Sequence, residues 1–285
     1  MPNTEAWGGV TTAIRTEVDF DKSNIEYVEF WLLDPFIPGP NGRVVDGDNN
    51  QNNTTGGKVK FQLGSISEDV MRDRLHAFEN GLPPNGDLSA TTENKWGYVT
   101  QQQYLTNAFD NATSSRANQD VGLDGVSGQK ERDKFPMIPG EDPSSDDFQY
   151  FLGDDLDNRD AKILERYKNF NGMDGNSPII TGSELVTPSS SPIPDNEDLN
   201  ADNTLSELEE YYEYNISLTP ADMQVGKGYI VDKISTNDNI ANETVTWYLL
   251  RIPIRQYDGK FGNISGFKSI RYMRMLMNGF QQPVV

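Results

Sequence analysis

The chain has 285 residues, 35% of them hydrophobic, and its 44 acidic against 24 basic side chains give a formal net charge of -20. Such a surface repels a nucleic-acid backbone, which argues against DNA or RNA as a partner. The absence of cysteine excludes disulfides, thiolate nucleophiles and cysteine-bound zinc, and a single histidine, His76, leaves little material for Ser-His-Asp chemistry.

The first expected strand spans about Gly9–Phe20, where Thr12, Ile14, Thr16, Val18 and Phe20 alternate with Ala13, Arg15, Glu17 and Asp19. After an Asp21–Asn24 turn, Ile25–Leu33 is apolar on both faces, the pattern of a strand covered on each side. Asp34-Pro35 ends it, since proline cannot donate to a ladder. Residues 38–57, rich in Gly, Asn and Asp, read as a flexible loop, and Lys58–Leu63 alternates again. Ser67 is placed to cap a helix running to about Asn80, which carries His76.

From about 81 to 210 strand patterns thin out and acidic loops with short helices replace them. Thr100 and Gln103 read as a capping box, and a helix is expected over Asp157–Phe170 with Ile163, Leu164 and Tyr167 inward. Strands resume at Glu213–Leu218, Lys227–Ile234, Thr244–Ile254 and Phe267–Phe280. The expected fold is mainly β: one jelly-roll-like (galactose-binding-like) sandwich over 1–285, with a Greek key as the close alternative. Residues 81–210 form a helix-and-loop insertion into it. No run of about 18 apolar residues occurs. Met1 leads into Pro2-Asn3-Thr4 with no signal peptide, as on an excised domain.

Excess carboxylate suits a hard, oxygen-seeking cation such as calcium, or simply solubility. Asp198, Asn200, Asp202, Thr204, Ser206 and Glu209 fall on positions 1, 3, 5, 7, 9 and 12 of a 12-residue calcium loop. A helix beginning near Leu205 would return Glu209 to the ion. Asn203 stands where glycine is usual, but asparagine tolerates the left-handed conformation. The competing reading is an ordinary Asp/Asn-rich turn. A second acidic group joins Asp120 and Asp124 to Asp133, Glu141, Asp142, Asp146 and Asp147, with calcium or solvated loop acid as alternatives. Of this group, Asp120, Asp124, Asp142 and Asp146 are the candidate ligands. No carboxylate pair is singled out for glycosidase chemistry. Trp31 and Trp247 lie in apolar strands and read as core, whereas Trp96 beside Tyr98 is the candidate for an exposed sugar contact.

Several blocks, in order, carry a family likeness. They are Ala6–Gly9, Glu29–Phe36, Leu63–Val70, Phe78–Pro83, Gln119–Gly125, Tyr167–Gly172, Asp195–Asn200, Trp247-Tyr248 with Arg251–Ile254, and Phe267–Arg271. Together they resemble the SprA (or Sov) family, the outer-membrane translocon of the type IX secretion system of Bacteroidetes. The resemblance implies a non-catalytic part of a protein-conducting machine, serving secretion and gliding at the outer membrane. Its partners would be the translocon barrel, a PorV-like shuttle barrel, a plug protein and folded cargo. The serial alternating strands of a membrane barrel are missing here, so the expectation is a soluble structural or interaction domain of it. The alternative is a carbohydrate-binding module on a jelly roll.

Overall fold

The computed structural model describes residues 7–39, 42–46, 49–70, 72, 74, 82–95, 97–101, 118–119, 122, 124–144, 146–147, 151–152, 154–161, 163–167, 169–170, 197–238 and 243–282. Their elements run β1 (Trp7–Ala13), β2 (Tyr27–Leu33), β3 (Arg43–Asp46), β4 (Asn49–Asn52), β5 (Gly57–Ser65), β6 (Thr91–Glu93), β7 (Tyr98–Thr100), α1 (Gly128–Lys134), α2 (Asp154–Asn158), α3 (Ile163–Tyr167), β8 (Glu210–Leu218), β9 (Ile230–Asp238), β10 (Glu243–Pro253), β11 (Gly259–Phe261) and β12 (Tyr272–Asn278). The chain divides into two compact units, Met1–Ser67 with Ser206–Val285, and Glu68–Leu205.

The first unit is a sandwich-like pair of antiparallel sheets. One has the order β1-β12-β5-β8-β11 and the other β2-β10-β9. Period-two alternation places Val59, Phe61 and Leu63 of β5, and Tyr212, Tyr214, Ile216 and Leu218 of β8, in one core. Tyr248, Leu250 and Ile252 of β10 and Val28, Phe30 and Leu32 of β2 join them from the smaller sheet. Phe30 meets Phe61 with ring centroids 5.0 Å apart. The buried Tyr214 hydroxyl donates to the Ile254 carbonyl, which satisfies both polar groups inside the apolar layer.

Several expectations need correction. The first strand stops at Ala13; the next residues bond singly to the 267–271 segment, as in Phe20 N–H to Phe267 O, instead of pairing as a ladder. The last strand likewise starts at Tyr272, not Phe267. The 38–57 stretch holds a hairpin, β3–β4, tied down where Asn52 Nδ2 donates to the carbonyls of Ile37 and Gly39. β2 is an edge strand, and its face bearing Tyr27, Glu29 and Trp31 is exposed instead of covered. Ser67–Val70 is not helical, and Arg72 and Arg74 have φ of 53° and 63°, so no helix starts at Ser67; the rest of that expected helix, His76 included, lies outside the described residues.

In the second unit β6 and β7 form a short hairpin. Thr100 ends a strand instead of capping a helix, and Gln103 lies outside the described residues. The expected 157–170 helix is two short ones, α2 and α3, broken where Asp160 takes φ 52°. Tyr167 is half exposed but stacks on Phe151 at 5.1 Å.

Candidate metal centre

The Asp124 neighbourhood is built from three short segments of the second unit. Gly125, at φ 72°, turns the chain so that Val126 N–H bonds Asp124 Oδ1 at 2.9 Å. A side chain at Gly125 would meet the Tyr98 carbonyl at 2.3 Å, so this turn has room for glycine only. Tyr98 N–H in turn bonds the Asp124 carbonyl at 2.7 Å, fixing the turn to β7. Three residues after Gly125, α1 begins and carries Glu131 back toward Asp124. The loop 141–147 then returns: Ser144 donates its N–H to Glu131 Oε2 (2.9 Å) and its hydroxyl to Asp124 Oδ2 (2.7 Å). Asp146 Oδ2 accepts Asp124 N–H at 2.9 Å.

Asp124, Glu131 and Asp146 are thus gathered with one carboxylate oxygen from each lying within 4.8 Å of the others, and all three residues are buried. A second group, Asp142, Asp146 and Asp147, leads outward to an exposed member. Asp142 accepts the N–H groups of Asp146 and Asp147 at 3.2 and 3.0 Å and so shapes the loop. Burial is the first reason that the carboxyls of Asp124, Glu131 and Asp147 titrate above their ordinary range. Asp146 is pushed up to about 8 by burial, with the charges of Asp124, Glu131 and Asp142 adding to it. Of the basic side chains of α1, Arg132 bonds Glu141 and Gln129, and Lys134 donates to the Asn94 carbonyl.

Glu131 was missed by the sequence reading. The signal was there, because Asp120, Asp124, Gly125 and Glu131 match positions 1, 5, 6 and 12 of the calcium-loop template. Gly122 at position 3 breaks the pattern and hid it. Asp120 itself lies outside the described residues.

The 198–204 segment forms a tight loop. Asp198 accepts N–H groups from Asp202 (3.1 Å) and Asn203 (2.6 Å), and Asp202 accepts both the N–H and the hydroxyl of Thr204. Asn203 has φ 63°, the left-handed conformation in which its residue type replaces glycine. The buried Glu68 reaches this loop, taking Asn200 N–H at 3.2 Å. No helix follows, however: Leu205–Glu209 is irregular and feeds into β8. Ser206 and Glu209 belong to the other unit, where Glu209 pairs with Arg274 at 3.1 Å. Tyr98 is a half-buried strand residue, and Trp96 lies outside the described residues.

The first unit carries a second distinctive surface. Trp31 and Trp247, expected in the core, are 42% and 39% exposed. Registers pair Trp31 with Leu249, and Trp247 with Leu33 and Ile234, so these side chains share the outer face of the smaller sheet. Tyr27 lies on the same face, under the Arg251 guanidinium at 5.4 Å, and Arg251 also pairs with Glu29.

A mainly β chain with a two-layer antiparallel unit and a separate acidic unit of loops and short helices is the class that these features define. The chain belongs to the SprA N-terminal family, described as motility related/secretion protein, which matches residues 95–285. No curated protein matches it. No described helix is long and apolar enough to cross a membrane.

Proposed function

We propose that this chain is a non-catalytic interaction domain of the type IX secretion translocon, supporting export of folded cargo across the outer membrane and gliding. Family membership supplies the secretion and motility role. The observation that carries the interaction reading is the outer face of β2-β10-β9. Tyr27, Trp31, Ile234 and Trp247 stand there between 39% and 50% exposed. Large apolar side chains left open on one sheet face mark a contact surface, and tryptophan and tyrosine are the residues that most often dominate such contacts. The occupant is a translocon component: its barrel, a shuttle barrel, a plug or cargo.

The test is a Trp31→Ser/Trp247→Ser variant placed in the secreting cell. Truncating two aromatic anchors costs a contact at least about 30-fold in affinity, at about 2 kcal/mol or more for one dominant residue. Secretion and gliding are therefore expected to fall, with loss of co-purified translocon components, while the purified variant keeps its melting temperature within a few degrees. Full secretion and unchanged co-purification in the folded variant would remove the proposal.

A further inference from the structure

We infer that Asp124, Glu131 and Asp146 are the protein ligands of one divalent cation of the calcium class. The carboxylates are not merely close. Glu131 and Asp146 each have one oxygen anchored by a backbone N–H, from Ser144 and Asp124 respectively. The other oxygens, Glu131 Oε1 and Asp146 Oδ1, are buried with no hydrogen-bond partner, in residues 0% and 5% exposed. Buried carboxylate oxygens without a donor are strongly disfavoured, and a cation is the group that satisfies several at once. Oxygens on opposite sides of one calcium ion stand at most about 5 Å apart, from metal–oxygen distances of about 2.3–2.6 Å. The three side chains meet that limit at 4.8 Å.

The chain around them explains why calcium suits the nest. Counting from Asp120, Asp124 is position 5, Gly125 position 6 and Glu131 position 12 of the 12-residue loop. The turn at position 6 is present, with Gly125 at φ 72°. Position 3, normally a ligand, is Gly122, and a Cβ built there would fall 2.6 Å from Asp146 Oδ1. Asp146 therefore occupies the seat of the missing ligand, delivered from a loop more than twenty residues downstream. Ser144, bonded to both Asp124 and Glu131, holds two of the carboxylates in orientation from behind, the usual work of groups just outside a metal's ligands.

The probe is calcium chloride added to the full chain after EDTA treatment, with magnesium chloride in parallel. Hydrogen exchange of the wild-type protein is expected to slow across residues 122–147 with calcium, and less with magnesium, which dehydrates reluctantly and demands octahedral geometry. Calorimetric titration is expected to show a site whose affinity falls at least tenfold in Glu131→Gln and in Asp146→Asn, and is kept in Asp198→Asn. The last variant separates this site from any ion held by the 198–204 loop. Exchange unchanged across 122–147 at millimolar calcium overturns the inference in the wild-type protein, whatever the variants do. Equal calcium affinity in wild type, Glu131→Gln and Asp146→Asn also overturns it. Neither failure touches the sheet-face proposal, since the two surfaces lie in different units.

Discussion

Gly122→Asp is expected to weaken calcium binding at the Asp124 site at least tenfold and to destabilise the metal-free protein by about 1–3 kcal/mol. By the sequence template alone this substitution completes the loop, because position 3 regains its carboxylate. The structure reverses the sign. Gly122 has φ 90°, a conformation costly for any side chain, and its Cβ direction is filled by the Asp146 carboxylate at 2.6–2.9 Å. A fourth acid would enter a nest where burial already drives Asp146 up to about 8. Calorimetric titration with calcium, beside urea denaturation in EDTA, reads both effects. Tighter binding in Gly122→Asp would mean that Asp146 does not hold the position-3 seat.

Leu250→Ala is expected to cost the first unit about 2–5 kcal/mol, a large part of the roughly 5–15 kcal/mol by which folded domains are stable. Leu250 lies in the central strand of the smaller sheet, fully buried, with Phe30 and Ile230 as its cross-strand neighbours. Removing three methyl-group-sized atoms there opens a cavity between the two layers, and packed neighbours relax into it only in part. Leu249→Ala, one residue away on the outer face and only half-buried, is expected to cost less than about 1.5 kcal/mol. Urea midpoints of the two variants give the comparison. Equal losses would contradict the assignment of inner and outer faces to β10.

Much of the β framework was legible because alternation is a local property. Successive strand residues point to opposite sides, so Val59-Phe61-Leu63 and Tyr214-Ile216-Leu218 announce a core face in any β fold. Element ends were less legible: Phe267–Arg271 has strand-forming residues, yet in the structure it makes isolated bonds to β1's trailing loop and to Gly64. Trp31 and Trp247 were misread for a related reason. A strand apolar on both faces says that each face can be covered, but not that the same chain does the covering. Here Val28, Phe30 and Leu32 of β2 and Tyr248, Leu250 and Ile252 of β10 joined the core, while Trp31 and Trp247 on the other face stayed exposed.

The acidic sites divide the same way. Turn-forming residues such as Gly125 and Asn203 declare their left-handed backbone from their identity, and both adopt it. The spacing from Asp198 to Glu209 predicts a closing glutamate, but Leu205–Glu209 runs into β8 and Arg274 takes the Glu209 carboxylate. At Asp124 a template position was vacant in the sequence and was filled through space by Asp146. What the sequence by itself determined was the period-two strands, the excess of carboxylate and the positions of the sharp turns, since each follows from neighbouring residues along the backbone. Which sheet face stays open, and which carboxylates converge, was decided by the tertiary structure alone. Both depend on segments remote in the chain being packed together, and no local spacing encodes that distance.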